Sequence, residues 1–448
     1  MLHKSYLSEQ MKTKRMKMIL AVVSVMLMSM PAMAQVKEWT LTDCIDYALR
    51  ENITVRKADL STTIGQISLQ QAKNNRLPGV SGSIGQNYSR RHSEADSIDF
   101  NTSTSFGLNS GVTLFNGFEL KNNIKKAEIN YEALKYSSQE TKENISLSLL
   151  NAYLQVLYAE ERVSSSEEQV KSTAEELVLA EARYSLGGIA NSDYLTVKAQ
   201  LASQKQALAT AKSSLEINRV TLMQLMELPI NDTFRIARPN LEQIIAVAKE
   251  QSAAEIYATA LEIKPQVKGA ALSTEESLVN LNLAKAGYYP TISMSAGIST
   301  GLSGINKIIV TGPLSDNLSG TVGITASIPI FSKWANKSSV STARANITMA
   351  QLDEQNVKNT LRKEIEQACV DVRSAVIEYE AALESYESAK ESYNVASGKF
   401  TNNMLNSVDL LTAKTALIQA ESNLLQTKYQ LVFDEKIIDF YKGIPLSL

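Results

Sequence analysis

The sequence predicts a mixed α and β protein in which a few membrane-crossing strands, shared between several chains to close one barrel, continue into very long coiled-coil helices. Three observations predict it. The chain is written twice, each copy carries two strand-length segments of period two, and each copy then enters an apolar heptad far longer than an ordinary helix.

The N-terminal segment comes first. Lys12, Lys14, Arg15 and Lys17 precede an apolar run from Met18 to Met30, and Ala32 and Ala34 fit the small-residue positions of a signal peptidase site. Residues 1–34 therefore read as a secretory signal peptide, with Gln35 as the mature N-terminus. No later stretch approaches the roughly 20 apolar residues that a helix needs to cross a bilayer. Any membrane insertion must then use strands. Without the leader, 40 basic residues face 46 acidic ones. That balance lacks the basic footprint of a nucleic-acid-binding protein. Cys44 and Cys369 are the two cysteines and His92 is the lone histidine after the leader, so no His/Cys metal cluster is expected and the two thiols read as separate buried residues.

The duplication sets the organisation. Leu60-Ser61-Thr62 falls on Leu272-Ser273-Thr274, Ala72-Lys73 on Ala284-Lys285 and Pro78 on Pro290, all at an offset of 212. Leu114-Phe115 then matches Ile330-Phe331 and Tyr184 matches Phe400 at an offset of 216. The extra four residues fall in the Gly-rich stretch between the matched blocks, where a surface loop tolerates insertion. Residues 35–228 are expected to form one structural repeat, 229–258 a linker, and 259–448 the second repeat.

Each repeat should contain a strand hairpin, about 79–115 in the first and about 291–331 in the second. In the first, Val80, Ile84 and Tyr88, then Phe106, Leu108, Val112 and Leu114, alternate with Ser, Gly, Asn and Thr. In the second, Ile292, Met294, Ala296 and Ile298, then Val322, Ile324, Ala326 and Ile328, do the same. Segments of about 10 residues with one apolar and one polar face suit tilted strands between lipid and a wet lumen. Phe106, Leu108, Val112, Leu114, Val322, Ile324 and Ile328 are thus the candidate lipid-facing residues. Four strands are too few to close a useful barrel, so several protomers must share one. Phe115, Phe118, Phe331 and Trp334 stand where strand gives way to helix, as an interfacial aromatic belt would, although core packing accounts equally well for each aromatic taken singly.

After each hairpin comes a helix expected to run roughly 65 to 70 residues, about 100 Å. Leu149, Val156, Val163, Val170, Leu177 and Tyr184 recur at seven, as do Ile365, Val372, Tyr379, Tyr386, Tyr393 and Phe400. Ala368, Ala375, Ala382, Ala389 and Ala396 supply small residues three positions on, which implies close side-by-side packing. The returning helices carry Leu201, Leu208, Leu215 and Leu222, then Leu417, Leu424, Leu431 and Ile438. A sustained seven-residue repeat predicts a left-handed supercoil.

At the far end of each helix the chain turns back, through Gly187-Gly188 in the first copy and Asn402-Asn403 in the second. Gly187 aligns with Asn403, the two residue types that best tolerate the left-handed conformation at a helix end. Ser192 and Ser407, or their neighbours Asn191 and Asn406, are the candidate N-caps of the returning helices.

The opening Trp39 to Leu49, the Ala284-Lys285 to Tyr289-Pro290 run, the Leu114-Phe115-Asn116-Gly117 step and both tip turns, in this order and in duplicate, resemble the TolC-like outer-membrane efflux family over nearly the whole mature chain. The resemblance implies a homotrimer with a 12-stranded barrel in outer-membrane lipid and an α-helical barrel in the periplasm. It also implies docking of the tips on a periplasmic adaptor (membrane fusion) protein, coupled to an inner-membrane pump of RND or ABC type. By position Asp409 matches an entrance-constriction aspartate, while Thr412 stands where a second acidic ring can occur. Asp193 matches a tip-lock acid whose aromatic partner would be Phe400, with Gly187, Gly188 and Asn403 in the docking turns. Phe400 lacks a hydroxyl, and Leu405 stands where a basic lock residue can occur. An aspartate in a first helical turn also suits the helix dipole without any gating role.

An enzyme is not expected. The chain shows no histidine base, no nucleophile elbow and no Gly-rich phosphate loop, and no cofactor is implied. A periplasmic coiled-coil adaptor or structural protein is the alternative from another class, and it leaves the four amphipathic strands unexplained.

Overall fold

The computed structural model describes residues 38–92, 98–230, 233–247, 251–305, 312–402 and 404–448. The leader and Asn403 lie outside the described residues. β1 (Glu38–Trp39) leads into α1 (Leu41–Glu51) and α2 (Ile53–Asn74). Thr40 and Asp43 form a reciprocal capping box that starts α1, and the Asn52 side chain accepts from the Thr54 and Val55 N–H groups to start α2. The strand pair β2 (Gly79–His92) and β3 (Ile98–Asn116) follows, then α3 (Glu119–Ser185) and α4 (Asn191–Leu225). β4 (Arg235–Ile236), α5 (Glu242–Val247) and α6 (Ala253–Ile263) bridge to the second copy. That copy repeats the order as α7 (Pro265–Ala286), β5 (Thr291–Ile305), β6 (Ser319–Ser327), α8 (Ala335–Thr401) and α9 (Ser407–Tyr441).

The two long helices are 67 residues each and the two returning helices 35 each. A returning helix therefore covers only the tip half of its partner. The remaining half of α3 packs on α2 and α7, and that of α8 on α7, so each long rod is covered over its full length by shorter ones. Ala368, Ala375, Ala382 and Ala396 are buried, as the alanine spacing requires, and Leu149, Val156, Ile365 and Val372 are buried on the heptad seams. The largest apolar cluster sits mid-length, where α1, α3, α4 and α9 meet around Leu149, Tyr153, Leu222 and Val432. Cys44 lies in this cluster and Cys369 at the edge of another, around Ile365, so the thiols are well apart. The linker carries more structure than its composition suggests, for β4 pairs in parallel with β1 and the Tyr153 hydroxyl lies 2.7 Å from the Ala237 carbonyl.

The four long strands make one antiparallel sheet in the order β2-β3-β5-β6. Its register puts the apolar residues of all four on one face, since Gly82 pairs with Leu108 and Leu108 with Ile298, while Val112 pairs with Met294 and Met294 with Ile324. The opposite face carries rows such as Ser83, Gly107, Ser299 and Ser81, Asn109, Gly297, Thr321. Three details differ from the sequence expectation. The hairpin of β2 and β3 is longer, reaching His92 and Ile98. Leu114 is the extra residue of a bulge between Thr113 and Phe115, so Phe115 rather than Leu114 pairs with Ile292. β6 ends at Ser327, so Ile328 stands one residue past the strand, just before Pro329, which has no N–H to continue a ladder.

Candidate functional site

Two regions carry the candidate residues. The first is the apolar face of the sheet. Leu108, Leu114, Val322, Ile324 and Ile328 are all exposed in the single chain, and Phe106 and Val112 are half-buried. From Phe106 to Phe115 the apolar face of β3 is about 23 Å tall, at roughly 3.3 Å per residue and a tilt of roughly 40°. Beyond Phe106, β3 places Thr104 and Thr102 on this face, the Thr104 hydroxyl lying 2.5 Å from Gln86 Oε1, while Leu302 and Tyr88 pair with them from the neighbouring strands. At the other limit the rings of Phe115 and Phe118 meet edge to face at 5.4 Å, and Lys337 lies 4.5 Å over the Trp334 ring. An aromatic and cationic rim beneath an apolar band of that height matches the thickness of a bilayer core.

The second region is the pair of helical tips. Gly187 has φ 75°, and the Gly188 N–H reaches the Arg183 carbonyl at 2.8 Å while the Gly187 N–H reaches Tyr184 at 3.0 Å. This is the Schellman closure of α3. In the second tip the Met404 N–H reaches the Lys399 carbonyl at 2.8 Å, the equivalent bond. Asn406 caps α9 as expected. Its Oδ1 accepts from the Asp409 N–H at 2.8 Å and its Nδ2 donates to Asp409 Oδ2 at 3.0 Å. The first tip differs, because α4 is capped by Ala190, with no side-chain bond, and Asn191 is already its first helical residue.

Asp409 and Thr412 lie one turn apart and are both exposed, so they share a face of α9. Asp193 and Phe400 are not brought together as a lock. Asp193 Oδ1 accepts from the Ser407 hydroxyl, at the start of the other tip's returning helix. Phe400 is buried against Ala396 and Leu410, with the Arg183 guanidinium 5.3 Å over its ring. The same guanidinium donates to the Phe400 carbonyl at 2.8 Å and the Thr401 carbonyl at 2.5 Å. A cation on the last carbonyls of α8 is where the helix dipole favours one. Arg183 thus joins the tips from the opposite repeat.

Sequence reasoning also missed a polar seam between α3 and α9. Lys414, Glu421, Lys428 and Glu435 recur every seven residues along α9. Lys414, 4% exposed, donates to Glu176 Oε1 and Thr173 Oγ1, each at 2.8 Å. Tyr393 donates to the same Glu176 oxygen, and burial beside that carboxylate pushes its phenol up to about 12. Glu421 accepts from Ser165 at 2.6 Å and from Gln169 at 3.1 Å, and Lys428 meets Glu161 at 3.0 Å. Charged residues beside a heptad core are the signal for such a strip, but their partners depend on an antiparallel register that one helix alone does not specify.

A family model described as outer membrane efflux protein matches residues 44–227 and again 256–438. The chain belongs to that family. Outer membrane efflux protein BepC of Brucella suis biovar 1 (strain 1330) is 22% identical over 401 residues, spanning 88% of this chain and 84% of that protein. Among solved structures, a membrane protein from Pseudomonas aeruginosa superposes with a TM-score of 0.75 at 17% identity, covering 93% of each chain. The open-state outer membrane channel MtrE of Neisseria gonorrhoeae superposes with a TM-score of 0.73 at 20% identity, covering 90% of this chain and 88% of that one. This efflux protein is accordingly an outer-membrane channel protein that extends into the periplasm, with the amphipathic sheet as its membrane part and the helices below it.

Proposed function

We propose that three copies of this efflux protein close one 12-stranded barrel in the outer membrane and one helical barrel beneath it, forming a passive exit duct that receives its cargo from a periplasmic adaptor and an inner-membrane RND or ABC pump. One observation carries the reading. The protomer holds a four-stranded sheet, apolar on one face and polar on the other, whose outer strands β2 and β6 each pair on one side only among the described residues. Open edges cannot persist in lipid, because every backbone donor and acceptor there needs a partner. Three such sheets joined edge to edge satisfy them and leave the Ser, Thr and Gly face around a wet lumen. A coiled-coil adaptor or structural protein would have no use for that sheet.

The tips suit docking. Leu186 is an exposed apolar side chain on the first tip turn and Val408 another in the first turn of α9, where Asp409 and Thr412 follow it on exposed positions. In the proposed trimer three copies of Asp409 form an anionic ring at the periplasmic entrance. The mass of the detergent-extracted protein tests the architecture. A trimer that keeps its strand content is expected, and a monodisperse monomer with the same strand content would overturn it.

A further inference from the structure

The fourth rung of the polar seam lacks what the other three have. Lys414, Glu421 and Lys428 each meet an opposite charge or a donor from α3, but Glu435 meets the linker instead, accepting from Gln251 Nε2 at 3.2 Å through Oε1. Glu435 is 8% exposed. Among the described residues, its other oxygen, Oε2, and the Gln251 carbonyl oxygen Oε1 are the buried side-chain atoms without a hydrogen-bond partner. Two acceptors on two groups already joined by one bond lack only a donor, and a buried acceptor left without one is destabilising. A proton on Glu435 Oε2 supplies it. A carboxylic acid and a primary amide can then bond head to head, each donating once and accepting once.

We propose that Glu435 and Gln251 form a proton-operated clamp, closed when Glu435 is a neutral acid and loosened when it ionises, which fastens the inter-repeat linker to α9. This goes beyond the duct reading and uses only the fold of the protomer. The surroundings agree. Burial pushes the Glu435 carboxyl above the ordinary carboxylate range and Asp439 adds to the shift, while Lys442, Lys436 and the Gln251 bond oppose it. From α8 the group that faces Glu435 is Cys369, with Arg373 beside that thiol. The neighbouring Asp434 is a separate site. Its oxygens accept from Gln430 at 2.9 and 3.0 Å, and burial, with Asp371 and Glu378 across on α8, lifts it to about 6.

The sign follows from linkage. The clamped state binds the proton more tightly than the released state, so clamping is favoured at acid pH and lost as pH rises through the raised Glu435 value. The consequence falls on the start of α6, which Gln251 precedes by two residues.

Hydrogen exchange on the intact detergent-extracted protein tests this, followed in peptides covering 251–263 at pH 5.5 and pH 8 and corrected for intrinsic rates. Protection in the unmodified protein should fall by about tenfold for each unit of pKa difference between the two states. Glu435→Gln replaces the acid with an amide that makes both bonds at any pH, so protection should stay high and flat. Gln251→Ala removes the partner and should make protection low and flat. Asp434→Asn should keep the original pH dependence. Equal protection at both pH values in the unmodified protein overturns the clamp, whether or not any variant assembles. So does a pH dependence that survives undiminished in Glu435→Gln or Gln251→Ala, or one that disappears in Asp434→Asn.

Discussion

At each strand-to-helix corner two successive residues adopt left-handed backbone. In the first repeat they are Gly117 at φ 64° and Phe118 at φ 67°, in the second Lys333 at φ 50° and Trp334 at φ 65°. The glycine is required in the first repeat, because a Cβ there would lie 2.7 Å from the Ala286 carbonyl and 2.8 Å from Tyr289 Cβ. The second repeat manages with lysine, at a conformational cost of about 1–2 kcal/mol for a residue with a Cβ. Lys333→Gly should therefore stabilise the protein by about 1 kcal/mol, the relief being partly offset by the greater freedom of glycine in the unfolded chain. A urea titration of the extracted protein checks it, and an unchanged or lowered midpoint would contradict the strain. Gly117→Lys should destabilise, since the clash and the backbone penalty add. The need for Gly187 at the tip was legible in the sequence, because its role is local. That of Arg183 was not, for its acceptors on Phe400 and Thr401 lie more than two hundred residues away.

The strands are the elements on which the membrane reading rests. Val112 and Ile324 occupy one row of the apolar face, through Met294, while Thr113 and Thr325 are paired through Ser293 on the polar face. Arginine at Val112 or Ile324 should cost about 2 to 4 kcal/mol if the row lies near the bilayer midplane, whereas arginine at Thr113 or Thr325 should be tolerated in the lumen. Refolding yields into vesicles compare the four variants directly, and equal defects on both faces would point to a sheet buried in protein. Period two made these strands legible without a partner strand. The bulge at Leu114 was not, since an extra residue shows only against the strand it fails to pair with. β1 and β4, two residues each, are too short for any periodicity to register.

In the proposed trimer the entrance is set by what three tips bring to one axis. One carboxylate oxygen of Asp409 accepts from the Asn406 side chain, and Thr412 adds no second charge on its face. Asp409→Asn should lower cation selectivity and weaken block by divalent cations in planar bilayers, because one ring would supply the local negative field. Unchanged selectivity with intact trimers would leave Asp409 as a first-turn acid that suits the helix dipole alone. The long rods and the duplication were readable because heptads extend over many turns. The polar seam was not, because a lysine beside a heptad core resembles any solvated lysine until the opposing helix is placed. A further consequence belongs to the open edges of β2 and β6. In the proposed trimer a lone exported chain has no partner along the β2 and β6 edges of its described strands, so burying the sheet awaits an encounter of three copies. Biogenesis then becomes steeply dependent on concentration: too few nascent chains leave sticky edges waiting in the periplasm for proteases and chaperones to find first.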